Sequence, residues 1–127
     1  MPLPLWAVLA LAVAGGLGAV ARFIVDGAVT AGIRHRYPIG TTLVNLTGSF
    51  LLGLMTGLAA AHALPVEWRA IVGVGFLGGY TTFSTASFET VRLALDRRWG
   101  LSLLNAFGQL LGALVAAALG LWLGAAL

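Results

Sequence analysis

The stretch GVGFLGGYTTFSTASFE, Gly73–Glu89, places a glycine pair and five hydroxyl residues (Thr81, Thr82, Ser84, Thr85 and Ser87) in the middle of an apolar segment. Reading it depends on what surrounds it. Of the 127 residues, 60% are hydrophobic and only 9% are charged, a balance that belongs to membrane proteins rather than to water-soluble domains. The charges are clustered, leaving charge-free runs at Met1–Ala21, Tyr37–Val66, Ala70–Phe88 and Trp99–Leu127. Each run is long enough to cross a hydrocarbon core of about 30 Å.

One domain of four transmembrane helices over residues 1–127 follows, with spans near Leu3–Ile24, Ile39–Ala61, Ala70–Val91 and Leu101–Ala126. The first run lacks the positive leading segment of a cleaved signal peptide. Even parity places both termini on one side, called A here, together with the loop HALPVEWR. Side B then holds DGAVTAGIRHRYP and LALDRRWG. Aromatic residues agree with these boundaries: Trp6, Trp68 and Trp122 fall at side A, and Tyr37 and Trp99 at side B.

The formal charge of +3 arises from seven cationic residues, all arginine, against four acids. These arginines flank spans and form no stripe for nucleic acid, so they read as determinants of topology. Arg34, Arg36, Arg97 and Arg98, with Arg22 and Arg92 nearby, mark side B, whereas side A has Arg69. By the positive-inside rule side B is cytoplasmic and the termini are outside. No cysteine is present, and neither a metal cluster nor a nucleophile–base pair is visible, so an enzyme is not expected.

Small residues recur at every fourth position of the last span (Gly108, Gly112, Ala116, Gly120, Gly124), and Gly53 and Gly57 repeat the device in the second. Such stripes let helix backbones approach closely. In the third span the midpoint between Arg69 and Arg92 falls at Tyr80 and Thr81, where an unpaired backbone group is most costly. Gly78 and Gly79 therefore admit two readings, a break in the helix that lines a cavity or a close-packing notch; the hydroxyl run beside them favours the break. Thr41, Asn45 and Ser49 share one face of the second span, as a polar track or as interhelical bridges. Arg22 and Glu89 approach side B at similar depth, and an ion pair or capping role is expected for them.

The segments GGLGAVARF (Gly15–Phe23), GTTLVNLTGSFLLG (Gly40–Gly53) and GFLGGYTTFSTASFETV (Gly75–Val91) resemble the Fluc, or CrcB, family of fluoride channels. The resemblance implies an antiparallel dual-topology dimer of four-helix subunits, with a broken third helix, two fluoride pores and a structural sodium ion, Na+, at the dimer centre. It implies sodium binding by the backbone carbonyls of Gly78 and Thr81, a pore lined by Asn45, Phe83, Ser84 and Thr85, and supporting roles for Arg22 and Glu89. Passive export of cytoplasmic fluoride across the cell membrane, lowering its toxicity, is the implied function.

Two departures from the family pattern stand out. Ala86 replaces a usual second phenylalanine, and Asn105 stands where a pore tyrosine is often found. Together with the arginine bias they leave two partnerships open, a homodimer or a heterodimer with a related subunit of opposite orientation. The alternative function is a small four-helix proton-coupled multidrug exporter. Its membrane-embedded carboxylate is missing from the first span before Asp26.

Overall fold

A computed structural model describes residues 2–32 and 37–127; Arg34, His35 and Arg36 of the expected side B cluster lie outside the described residues. The described chain is helical. Helix α1 is Leu5–Gly32 and α2 is Ile39–His62. Helix α3, residues 66–80, is continuous but not uniform, with α-helical turns at Val66–Trp68 and Gly78–Tyr80 around a π-helical stretch at Arg69–Leu77. Helix α4 is Phe83–Leu95, and α5 runs through Trp99–Ala126 with π-helical turns at Leu104–Gly108.

Three of these helices, α1, α2 and α5, are each long and apolar enough to cross a membrane. The third expected span corresponds to α3 and α4 in succession, about 22 and 20 Å long at 1.5 Å per residue. Their junction is therefore far from either end.

Turn chemistry explains where helices stop. Ala63 takes the left-handed conformation (φ 51°) after α2, and Leu64 and Pro65 prevent the helix from continuing. At the end of α4, Arg97 is left-handed (φ 58°), its N–H donates to the Ala94 carbonyl, and the Arg98 N–H donates to the Leu93 carbonyl. This is the paired bonding of a Schellman motif. Helix α1 runs eight residues past the expected Ile24, because nothing in VDGAVTAG stops it and Thr30 Oγ1 donates back to Asp26 Oδ1 (3.4 Å).

The distribution of polarity is inverted relative to a soluble protein. Large apolar side chains such as Phe23, Val74, Leu95 and Trp122 are exposed, while Thr41, Thr82, Ser102, Asn105 and Gln109 are buried. Apolar surface on the outside fits a hydrocarbon solvent, and buried polar groups must then satisfy one another.

Two helix pairs hold the bundle together by backbone contact. Between α2 and α5, a Cβ on Gly53 would overlap the Ala117 carbonyl oxygen, one on Gly57 that of Leu121, one on Gly120 that of Phe50, and one on Gly124 that of Leu54. The expected small-residue stripe thus works only in its C-terminal half. Gly112 faces the Leu46 side chain at 3.4 Å, and Gly108 meets only Leu104 of its own helix.

Between α1 and α3 the notch is Gly79, where a Cβ would strike the Gly15 carbonyl oxygen, with Gly18 pressed against the Phe76 carbonyl in return. Replacing Gly53 by Leu would push α5 away, and a loss of about 1–3 kcal/mol is expected from overpacking. Gly112→Ala, facing a flexible leucine, is expected to cost under about 1 kcal/mol. Thermal unfolding of the two variants in one detergent checks the contrast.

Candidate pore site

The helical path of the third span stops after Tyr80. Thr81 (φ −80°, ψ 159°) and Thr82 (φ −148°, ψ 124°) are extended, and helix resumes at Phe83. Gly78 and Gly79 are themselves helical, so the interruption begins two residues beyond the glycine pair, and Gly79 serves as a packing notch against α1. Threonine is compatible with the displaced position because extended backbone suits β-branched residues.

Asn45 of α2 holds the interruption. Its Oδ1 accepts from the Thr82 N–H (2.8 Å), and its Nδ2 donates to the Thr82 carbonyl (2.9 Å). The side-chain amide thus pairs with the N–H and C=O of one residue, two groups from the successive peptides that flank Thr82, as a residue of a neighbouring antiparallel strand would. In a continuous helix the Thr82 N–H would bond the Gly78 carbonyl. Diverting it to Asn45 frees that carbonyl. Gly48, one turn from Asn45 towards the C-terminus, permits this approach: a Cβ there would overlap the Thr81 methyl and crowd the Tyr80 ring.

Thr82 also organises the helix that follows. Its Oγ1 accepts from the Thr85 N–H (3.2 Å), an N-cap for α4, and donates to Thr85 Oγ1 (3.1 Å); Ser84 Oγ lies 3.3 Å away. Since Thr85 Oγ1 accepts, its own hydroxyl hydrogen remains available. Phe83 projects outward at 87% exposure. The positive end of a 13-residue helix, with its leading N–H groups, hydroxyls and a phenyl edge, therefore lies deep within the span.

The structure gathers some of the expected residues and separates others. Gly78, Thr81, Phe83 and Asn45 line one open groove of about 820 Å³, with Ala86 and Gln109. Ser84 and Thr85 belong to the hydroxyl cluster around Thr82. Glu89 lies elsewhere: its Oε1 accepts from Thr41 Oγ1 (2.8 Å) and its buried Oε2 has no partner among the described residues. Of the ion pair or capping role expected for Arg22 and Glu89, an ion pair between them is not found among the described residues; Arg22 is partly exposed on α1, and Thr41 supplies the carboxylate's hydrogen bond.

Two roles and one pairing escaped the reading of the sequence. Thr82 was one hydroxyl among five, although it both meets Asn45 and caps α4. Gln109, an amide four residues after Asn105 in an apolar span, offered a signal in that spacing alone, and its Oε1 receives the second Asn45 Nδ2 hydrogen (2.8 Å). Thr41 reaches Glu89 across 48 residues of sequence, a separation no local pattern marks.

The family model described as CrcB-like protein, Camphor Resistance (CrcB), matches residues 9–121. The chain belongs to the CrcB family. It is 60% identical over 117 residues to Fluoride-specific ion channel FluC 1 of Leifsonia xyli subsp. xyli (strain CTCB07), covering 92% of this chain and 85% of the relative. It is 44% identical over 109 residues to Fluoride-specific ion channel FluC 2 of Mycobacterium bovis (strain ATCC BAA-935 / AF2122/97), covering 86% and 83%.

A third CrcB relative, Fluoride-specific ion channel FluC of Magnetococcus marinus (strain ATCC BAA-1437 / JCM 17883 / MC-1), is 43% identical over 115 residues, 90% of this chain and 94% of its own. These are names of channels and not of enzymes, and they lend no support to the exporter alternative. Family and apolar helices together make this CrcB chain a multi-pass membrane protein.

If the Asn45 amide holds the interruption, Asn45→Leu strands the Thr82 N–H and carbonyl and the Gln109 oxygen. A loss of about 2 kcal/mol or more is expected. Thr82→Ala, which removes the cap but keeps the peptide pairing, is expected to cost about 1 kcal/mol. Denaturant titration in mixed micelles ranks the two.

Proposed function

We propose that this chain is a subunit of a fluoride-selective channel that lets cytoplasmic fluoride leave passively across the cell membrane. The observation that carries the reading is the interrupted third span: Asn45 holds Thr82 out of the helix, so that the N-terminus of α4 faces the interior of the span. The family relatives, named as fluoride-specific channels, support the choice of ion.

Fluoride is small and strongly hydrated, so a pathway must replace its water with donors. The hydroxyls of Ser84 and Thr85, the leading N–H groups of α4 and the positive ring edge of Phe83 are donors of that kind. Asn45 has both amide hydrogens engaged within the protomer, on Thr82 and Gln109. Its part in the pathway is to line it and to hold the neighbouring donors in place.

The groove beside Phe83 is mostly apolar and open on one side, which suits a second subunit packed antiparallel in the bilayer. Sodium fits the residues at the same place. The Gly78 carbonyl loses its helical partner to Asn45 and the Thr81 carbonyl belongs to extended backbone, so both offer the hard oxygen that an alkali cation takes. When bound, Na+ would supply positive charge that draws carbonyls of two subunits together without being transported.

Arginine bias sets the orientation in this reading. Arg92, Arg97 and Arg98 lie at the end of α4 and beyond it, and Arg69 lies at the opposite end of the third span. Side B is then cytoplasmic. Supporting a paired, oppositely oriented subunit are Ala86 and the numbered names FluC 1 and FluC 2 among the relatives. A homodimer satisfies the same groove.

The decisive experiment is anion efflux from liposomes containing this protein alone, with sodium present. Rapid fluoride release without chloride release is expected, and slower release when sodium is replaced by a large organic cation. No fluoride release, either alone or with a co-expressed subunit of opposite arginine bias, overturns the channel reading. Tags at both termini, tested for accessibility in intact cells, are expected to be reached only from outside.

A further inference from the structure

Asn105 is fully buried at 0% exposure and Gln109 nearly so at 6%, on the α5 segment where π-helical turns give way to α-helical ones. Neither is hydrogen-bonded to Thr82. Their hydrogen bonds nevertheless form a closed path to it. Thr90 Oγ1 donates to the Ala86 carbonyl (2.8 Å) and accepts from Asn105 Nδ2 (2.8 Å), which also reaches the Ala86 carbonyl (3.2 Å). Asn105 Oδ1 accepts from Gln109 Nε2 (2.7 Å), and Gln109 Oε1 accepts from Asn45 Nδ2 (2.8 Å). The path leaves α4 at Thr90 and Ala86, crosses α5 and α2, and returns at Thr82, immediately before α4 begins.

Each link removes a freedom that the previous residue would otherwise keep. The terminal torsion of an asparagine is broad, and a third contact further restricts the Asn45 amide beyond its two bonds to the Thr82 N–H and C=O. Gln109 supplies it. Gln109 is itself a long, rotamer-rich side chain, held by Asn105, and Asn105 is fixed on α4 at two acceptors. Asn105 and Gln109 are buried, and hydrogen bonds between buried groups are stronger than exposed ones.

We propose that Asn105 and Gln109 are positioning residues: anchored on α4 through Thr90 and Ala86, they orient the Asn45 amide and thereby keep Thr81 and Thr82 out of the helix. The consequence for ion flux rests on the channel reading above; the consequence for backbone structure does not. The rival explanation is interhelical adhesion without control of the interruption. Ser102 separates the two, because its Oγ donates to the Thr90 carbonyl (2.8 Å), joining α5 to α4 outside the path.

The test is residue-resolved amide hydrogen exchange on the full-length protein in lipid nanodiscs. Gln109→Met is expected to speed exchange of the Thr82 N–H about tenfold, the loss of roughly one hydrogen bond. Thr81, bonded to the Leu77 carbonyl at 3.0 Å, is expected to stay unchanged. Asn105→Leu, two links away, is expected to act in the same direction and serves if Gln109→Met does not fold, whereas Ser102→Ala is expected to leave Thr82 unchanged.

Unaltered Thr82 exchange in the folded amide variant, or equal acceleration by Ser102→Ala, overturns the proposal. Fluoride efflux is expected to fall with Thr82 protection across the three variants. A wild-type protein that releases no fluoride, either alone or with a co-expressed subunit of opposite arginine bias, would count against the channel reading and leave the exchange comparison standing.

Discussion

The pairing of one side-chain amide with the N–H and C=O of one residue, Asn45 with Thr82, is the constraint on which the middle of this molecule depends. A helix interrupted in hydrocarbon leaves backbone donors and acceptors that water cannot reach, at a cost of several kcal/mol each. Asn45 satisfies one of each at a stroke. The Thr82 hydroxyl then caps the next helix, so a single residue ends one segment and starts another. By helix geometry the groups left without intrahelical partners are the Gly78 carbonyl at the end of α3 and the Phe83 and Ser84 N–H groups at the start of α4. One end of the interruption is suited to a cation and the other to an anion.

Such a site needs a rigid frame, and glycine provides it in two ways. On the α2–α5 face, reciprocal contacts of Gly53, Gly57, Gly120 and Gly124 with facing carbonyls bring backbone onto backbone and fix the register of the helix carrying Asn45 against the helix carrying Gln109. On the α1–α3 face, Gly15, Gly18 and Gly79 do the same for the segment before the interruption. Gly48 belongs to neither pair. Its missing side chain admits Thr81 and Tyr80 against α2, and Tyr80 is then held by its hydroxyl, 3.0 Å from Thr47 Oγ1, and by its stack on Phe76.

Much of this was legible in the sequence, for identifiable reasons. Charge spacing and tryptophan placement are one-dimensional signals, and they marked four apolar segments and their approximate limits, though not the division of the third into α3 and α4. The small-residue stripe is likewise local, though which half of it makes contact depends on where α2 crosses α5. Positions set by long-range partners were not legible. Gly78 and Gly79 marked the region of the interruption but not its place, because the decisive acceptor is Asn45, 37 residues away in sequence. Glu89 read as a partner for Arg22 from depth alone, whereas depth does not determine which helix face meets which; Thr41 occupies the position.

Asn105 shows how a departure from a family pattern can be misread when considered alone. At the sequence level it is the absence of a pore tyrosine, a loss. In the bundle it is fully buried, hydrogen-bonded through both ends of its amide, and one turn from Gln109. Ala86 is the complementary change: its carbonyl, on the face toward α5, accepts from both Thr90 and Asn105. The two positions that look like defects when compared with the family are thus in contact with each other. The bond between them uses the backbone carbonyl of residue 86, which any side chain there would leave in place, and both residues still line the groove, so Asn105 adds an anchor for the amide path without leaving the groove wall.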